Sequence, residues 1–447
     1  MRKPTTSLIA ATIAALLITG CSQQQSAENN DDTSSIAVSE TPENSKRIAI
    51  MLNKDDVDID ASLSDIDVVL PSADTLGYWR QVGASASHSL EHITSALDEN
   101  NTASARVGKG KGWSGQFIPA PIASATHIFA IDAKGAISAH SKEKISNVAW
   151  TNLSLAHKER GLAGGGLALT DSTIVAVNAH GMIAGINADT GEELWTRNLR
   201  TPVRSAPAIS QEMVILATAG SETIALDSRN GRIIWKHRGI QETTNILSYA
   251  TPAVLGNIVI TAYPSGEMFA IHRLTGKPLW ADSLLVPRRT SALGNFTGIT
   301  GNPVIARNVV FSASSNGLMA ANSLNNGLRL WEHELSSYNT LWVAGRFVFA
   351  VTSDHKLMAI HASDGRIKWI SDLKDSHSND SRFMGPYVIN DHIVVISDNG
   401  TWSSFDPKTG EAIANDRRLK GDAFSQPILL EEGVAYVDDD ATLRLIK

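Results

Sequence analysis

A tight turn followed by a tryptophan recurs along this chain, and its spacing constrains the fold more than any other feature. The unit is a glycine, three residues, then Trp. It reads ADTGEELW at 188–195, SRNGRIIW at 228–235, RLTGKPLW at 273–280, LNNGLRLW at 324–331 and SDGRIKW at 363–369. Trp150 in KISNVAW holds the same place, and PKTGEAIA at 407–414 is a copy without its Trp. Residues 102–108 (TASARVG) are one further copy, with the Trp replaced near Ala103. The steps from 103 through 150, 195, 235, 280, 331, 369 and 414 are 47, 45, 40, 45, 51, 38 and 45 residues. Such a period is too long for a hairpin and suits a four-stranded propeller blade.

Within a unit the apolar pattern has period two, broken by turns. In residues 345–369, Phe347 to Val351 reads as a strand, Ser353-Asp354-His355 as a turn, and Leu357 to Ile360 as a second strand. Ser363-Asp364-Gly365 turns again into Ile367-Lys368-Trp369. Glycine supplies the positive φ that such a turn needs. The Trp is suited to wedge between adjacent sheets with its N–H bonded to a neighbouring loop. Eight final-strand copies imply an all-β, eight-bladed propeller of four-stranded antiparallel blades. The C-terminal FSQPILLEEGVAYVDDDATLRLIK supplies three strands, and the copy at 102–108 supplies the missing fourth. The ring therefore closes by pairing its N- and C-terminal strands, which removes exposed sheet edges.

Ahead of the repeats lies a different kind of sequence. Arg2 and Lys3 precede an apolar run from Leu8 to Ile18, then Ile18-Thr19-Gly20-Cys21. This is the layout of a secretory signal peptide. Its ending resembles the bacterial lipobox, which implies cleavage after residue 20, lipidation of Cys21 (diacylglycerol on the thiol, a fatty acyl chain such as palmitate on the amine) and stable anchoring. Ser22, not Asp, follows, and by the same resemblance directs the protein to the outer membrane. Residues 22–74 hold 12 acidic and 3 basic side chains, so with +2 in the signal peptide and −7 overall, residues 75–447 are neutral. The expected layout is signal peptide 1–20, lipidated acidic tether 21–74 and propeller 75–447. The low-complexity part, to about residue 45, reads as disordered coil with a span on the order of 25–30 Å. The apolar positions Val57, Ile59 and Val68-Val69-Leu70 are expected to add a strand to the body. A balanced body without a basic patch argues against nucleic acid as the main partner.

Other residue groups carry two readings. His88 and His92 in HSLEH, if helical, would share a face and could bind a metal; the plainer reading is packing or surface histidines. His272 and His361 stand where sister repeats have Asn187 and Asp227, and read as turn caps. Asp438-Asp439-Asp440 could hold calcium, but lies between two strands and reads as a solvated hairpin turn. Arg288-Arg289 reads as a loop charge pair or an anionic patch. Gly164-Gly165-Gly166 lacks the Lys-Ser/Thr of a phosphate loop and reads as a close backbone approach. No Ser-His-Asp or paired-carboxylate arrangement is apparent.

The A-x-D-x-x-x-G-x-x-x-W pattern, clearest in ALDSRNGRIIW (225–235), resembles the PQQ-type propeller repeat. So does the entry segment from Tyr78-Trp79-Arg80-Gln81-Val82-Gly83 to His88. With the lipobox, residues 75–447 are similar to the BamB family, the propeller lipoprotein of the outer-membrane β-barrel assembly (BAM) complex. Segments 235–254 and 341–373 look like its alphaproteobacterial branch. The resemblance implies a non-enzymatic scaffold, lipid-anchored and facing the periplasm, that binds periplasmic domains of the barrel subunit and aids insertion of outer-membrane proteins. Unfolded outer-membrane proteins are a further implied partner. In that family an arginine in one inter-blade loop and acidic residues in the next contact the barrel subunit. The matching loops here are 199–207, with Arg200 and Arg204, and 245–252, where Leu247-Ser248-Tyr249 replace the acids and Tyr249 is an aromatic anchor. No cofactor and no metal are expected. One alternative is a ligand-binding or sensing propeller. Another is a PQQ-dependent dehydrogenase, whose members carry a vicinal disulfide that a chain with one cysteine cannot form.

Overall fold

The computed structural model describes residues 57–98, 100–108, 119–156, 165–240, 250–285, 299–315, 317–373, 382–421 and 425–447 (side chains of 414–416 excepted). Cys21 and the apolar leader, Tyr249, Arg288-Arg289 and Gly164 lie outside these residues. Among the described residues there is one short 3-10 turn, Ala61–Leu63, and the rest of the regular structure is strand.

The strands form eight sheets. Blade 1 runs from Ile122–Ala123 to Val148–Asn152, blade 2 from Gly165–Leu169 to Glu193–Asn198, and blade 3 from Ala208–Ser210 to Ile233–Arg238. Blade 4 runs from Ala253–Leu255 to Pro278–Ser283, blade 5 from Val304–Ala306 to Arg329–His333, and blade 6 from Trp342–Ala344 to Ile367–Asp372. Blade 7 runs from Phe383–Ile389 to Ala412–Arg418. Blade 8 takes Ile428–Leu430, Gly433–Val437 and Thr442–Ile446 from the C-terminus and its outer strand, Thr102–Arg106, from the N-terminal side. Thr102 pairs with Ile446 and Arg106 with Thr442 in antiparallel register, as the strand count requires. First strands of successive blades from 1 to 7 touch one another, which sets them around the axis. Middle strands, flanked on both faces, are buried throughout, as in Thr173–Asn178 and Met213–Ala217. Outer strands alternate, as in Ile233–Arg238.

The Gly-x-x-x-Trp signature is a latch between blades. The indole of Trp150 lies against Gly191 of the next blade, and Trp195, Trp235, Trp280, Trp331 and Trp369 lie likewise against Gly231, Gly276, Gly327, Gly365 and Gly410. A side chain at Gly276, where φ is +70°, would put Cβ 2.8 Å from Trp235. Each Trp Nε1–H donates to a carbonyl in that same turn, at Ala188, Ser228, Arg273, Leu324, Ala362 and Pro407, over 2.6–3.0 Å. Two residues after the Trp, Asn152 and His333 donate to the carbonyls of Gly191 and Gly365 at 2.9 and 2.6 Å, and Ser371 to that of Gly410. One Trp thus carries apolar packing and satisfies a backbone acceptor that would otherwise be buried alone.

The acidic segment does more than tether. Val57, Ile59 and Val68–Leu70 form no strand. Instead Asp60 N–H donates to Ile367 O at the outer edge of blade 6, and Lys368 Nζ donates to the carbonyls of Leu63 and Ser64. Leu63 and Val68 are buried, Val68 against Phe347 and Phe349. Charge composition marks residue 74 as a boundary, whereas packing against the blades is already under way by residue 60.

Candidate functional site

A four-stranded meander puts its first and third turns on one face of the ring. The second turn and the connection to the next blade lie on the other. Arg200 and Arg204 sit in the connection from blade 2 to blade 3, on the second, connection face. That connection is held to both neighbours: Leu199 N–H donates to Gly181 O, Val203 N–H to Ala179 O, and Ala219 N–H to Pro202 O. Val203 also bridges Thr218. Arg200 has φ +57°, its N–H caps on Asn198 Oδ1 at 2.7 Å, and its side chain is exposed. Arg204 is half-buried. The structure therefore brings these two arginines onto one fixed loop, which displays an exposed guanidinium at little entropic cost. In the next connection, Ala250 is buried and Thr251 N–H donates to Asn302 Oδ1.

The opposite, hairpin face has a feature that the sequence pattern does not reveal. Residues 76–98 run as a belt around the axis and bond to every blade in turn. Trp79 exchanges both backbone hydrogen bonds with Ala123 of blade 1, and Leu169 of blade 2 donates to Arg80 O. The Gln81 amide acts as a peptide, accepting from Ile209 N–H of blade 3 at 2.6 Å and donating to its carbonyl at 3.3 Å. Val254 of blade 4 and Ile305 of blade 5 donate to the carbonyls of Ala86 and Ser87. Trp342 Nε1 of blade 6 donates to Glu91 O, and Asn390 of blade 7 to Ile93 O. On blade 8, Ser95 Oγ donates to Leu430 O and Glu431 N–H to Leu76 O. Asp74–Thr75 pairs with Ile93–Thr94 and closes the belt on itself.

Among the described residues, a cavity of about 50 Å³ lies between belt and inner strands, lined among others by Trp79, His88, Leu90, Trp342, Tyr387 and Gln426. His88 is buried, its Nδ1 bonds Pro303 O at 2.8 Å, and burial lowers its pKa to about 4. Because a carbonyl only accepts, Nδ1 carries the proton and the ring is neutral. Burial likewise pushes the Tyr387 phenol well above its usual range. Pockets for organic ligands usually hold about 300–1,000 Å³, so this cavity does not fit a quinone cofactor, and no chemistry is routed through one.

The remaining sequence candidates resolve as structure. His88 and His92 are not on a helix: His88 has φ +60°, and His92 bonds Pro71 O and accepts from Asp391 N–H. His272 and His361 cap their turns on Thr275 and Asp364. Asp438 does sit in a hairpin turn, but it is buried, not solvated. It accepts from the N–H groups of Asp440 and Thr442 and pairs with Arg444 at 2.6 Å. Gly165 has φ +87°, and a Cβ there would lie 2.3 Å from Val177 O, a close backbone approach. Among the described residues no cluster of three His, Cys, Asp or Glu could hold a metal, and no helix is long and apolar enough to cross a membrane.

Comparison with known proteins adds the following. A family model described as outer membrane protein assembly factor BamB matches residues 133–371. BamB of Yersinia pestis is 23% identical over 349 residues, covering 77% of this chain and 87% of its own. A protein of Rickettsia conorii is 24% identical over 301 residues, covering 65% and 72%. The crystal structure of BamB from Moraxella catarrhalis superimposes with a TM-score of 0.65 at 20% identity, over 78% of this chain and 99% of that one. A quinohemoprotein alcohol dehydrogenase from Pseudomonas putida superimposes with a TM-score of 0.63 at 10% identity, over 83% and 80%, a likeness of fold alone.

Proposed function

The chain belongs to the outer membrane protein assembly factor BamB family, and on that premise we propose that it is a non-enzymatic scaffold of the outer-membrane β-barrel assembly machinery. The family match carries this reading, and the connection face supports it. A rigid loop there presents Arg200, with Arg204 beside it in sequence, to a partner of complementary charge. The partner is the periplasmic part of the barrel subunit. Tyr249, in the next connection, supplies an aromatic contact to the same partner. Unfolded outer-membrane proteins are a second, transient partner. Lipidation at Cys21 holds the protein at the outer membrane, and the acidic chain behind it lets the ring stand off the lipid, facing the periplasm.

The small hub cavity favours a scaffold over a propeller that senses or oxidises a small molecule. Copurification tests the reading. Affinity-tagged protein drawn from detergent-solubilised envelopes is expected to bring the barrel subunit with it. Deleting the gene is expected to lower outer-membrane protein levels. Failure to recover that subunit, with outer-membrane protein levels unchanged in the deletion strain, sinks it. Labelling with a clickable palmitate analogue, lost in Cys21→Ser, checks the anchor.

A further inference from the structure

Among the described residues, six seams between blades are filled by an indole from an outer strand, held against a glycine turn of the next blade. The seam between blades 7 and 8 has neither part. Position 414 is Ala, and blade 8 draws its third and fourth strands, Thr442–Ile446 and Thr102–Arg106, from separate stretches of chain. A cleft of about 340 Å³ lies there, within the range of about 300–1,000 Å³ usual for sites of organic ligands. Trp402, Tyr436 and Ile446 give it an apolar wall, Arg417, Arg418 and Lys420 supply its charge, and no Asp or Glu is among the described residues that line it. Two further observations point to a guest. Trp402 is 3% exposed, and its indole N–H has no acceptor among the described residues, whereas each of the six latch indoles has one. The exposed side chains of Arg418 and Lys420 make no ion pair among the described residues. Their backbone is nevertheless fixed: Leu419 N–H donates to Gly400 O, and the Tyr436 hydroxyl to Lys420 O at 2.9 Å. Cations on a held segment lose less entropy when a ligand pairs with them.

We propose that this cleft binds an acidic peptide segment of a partner protein: an aromatic side chain of the segment enters the seam, where other blades place their own tryptophan, and carboxylates beside it pair with Arg418 and Lys420. The aromatic guest buries its apolar surface against Trp402 and Tyr436. An oxygen of the same segment supplies the acceptor that the Trp402 N–H lacks. The two free cations make the site select against a basic segment. Lys420 lies in the connection from blade 7 to blade 8, so the cleft opens on the face that carries Arg200, but in a different connection.

NMR of the full chain, labelled with nitrogen-15 at the tryptophan indoles, tests this. The Trp402 resonance is assigned by its loss in Trp402→Phe. Titration with the peptide acetyl-Glu-Trp-Asp-amide is expected to move that resonance saturably and to leave the latch resonance of Trp235 in place. Peptides with Ala for the Trp, or with Lys for both acids, are expected to bind at least tenfold more weakly. Arg418→Glu combined with Lys420→Glu is expected to weaken the acidic peptide tenfold or more at low salt, with the gap narrowing as ionic strength rises. If the Trp402 resonance does not move, or if the three peptides bind alike, the proposal is overturned. Indole-3-acetate binding as tightly as the acidic peptide would assign a small-molecule site and overturn it as well. Should the double variant fail to fold, the peptide comparison in the unaltered protein decides alone. Copurification of the barrel subunit is a separate readout, so failure of this idea leaves the scaffold reading standing.

Discussion

At the scale of single residues, the latch makes the sharpest prediction. Trp235 is nearly fully buried, lies against Gly276 and donates to Arg273 O at 2.6 Å. Trp235→Ala removes packing and a bond together, and is expected to cost about 3–5 kcal/mol in urea or thermal unfolding. Trp235→Phe keeps most of the packing but strands the carbonyl, at about 1–3 kcal/mol. Equal losses for the two would mean that the N–H is immaterial. The buried Asp438 gives a second case, because its carboxylate is matched by Arg444 and two backbone N–H groups. Arg444→Leu leaves that charge alone and is expected to destabilise by about 3 kcal/mol or more. Replacing Asp438 and Arg444 together by Asn and Leu should recover part of the loss, which a double-mutant cycle reads. The pKa of His88 is held near 4 by burial, against an ordinary 6.5. Below pH 6.5 the unfolded chain binds the proton that the folded protein refuses. Stability is therefore full above 6.5 and falls on acidification toward 4.

At the scale of elements, the two places without a Trp explain each other. Each latch needs a Trp on one blade and a glycine turn on the next. Blade 7 has Ala414 at the Trp position of its last strand, and the blade it faces has no turn between its third and fourth strands, because the two strands come from opposite ends of the propeller sequence, Thr442–Ile446 and Thr102–Arg106. Thr102–Arg106 also lacks a Trp, and the corresponding turn of blade 1, from Ser141 to Asn147, has no glycine. The seam between blades 7 and 8 is accordingly hollow. An open cleft of about 340 Å³ lies among Trp402, Arg418, Tyr436 and Ile446. Closure then rests on the strand pairing and on Lys447, whose N–H donates to Asn101 O. Deleting Thr442–Lys447 removes both and is expected to abolish cooperative unfolding. Removing an equal length from the acidic stretch before residue 57 should leave the melting curve unchanged. The blade count was legible because the latch is local and periodic, so each copy announces a strand and a turn. The belt was not. It bonds through main-chain carbonyls and isolated polar side chains, Gln81 and Ser95, with no repeat and no apolar period. The acidic residues 57–70 misled for a related reason: Leu63 and Val68 are buried one at a time, among charges that stay outside.

At the scale of the whole molecule, the propeller has two faces of different character, and the loop proposed to meet the partner lies on the connection face. The belt ties down the hairpin face, while the connection face carries the longer inter-blade segments and the exposed Arg200. Residues 75–447 have no net charge, so long-range attraction to a partner must come from local arrangement and not from the body as a whole. Arg200 suits a direct test because its backbone is fixed independently of its side chain: the neighbouring Leu199 and Val203 are bonded to the turn of blade 2, and its own N–H to Asn198. Arg200→Glu keeps a side chain of similar reach at a position that already has positive φ. Fold stability should therefore shift by no more than about 0.5 kcal/mol. Affinity for the purified periplasmic domains of the barrel subunit should fall about tenfold or more at low salt, with the gap narrowing as ionic strength rises. Arg204→Glu, at a half-buried position, is expected to lower stability as well as affinity, so only Arg200 separates binding from folding. A melting temperature held constant with unchanged affinity in Arg200→Glu would move the interface off this loop, and the connections around Tyr249 would be the next to probe.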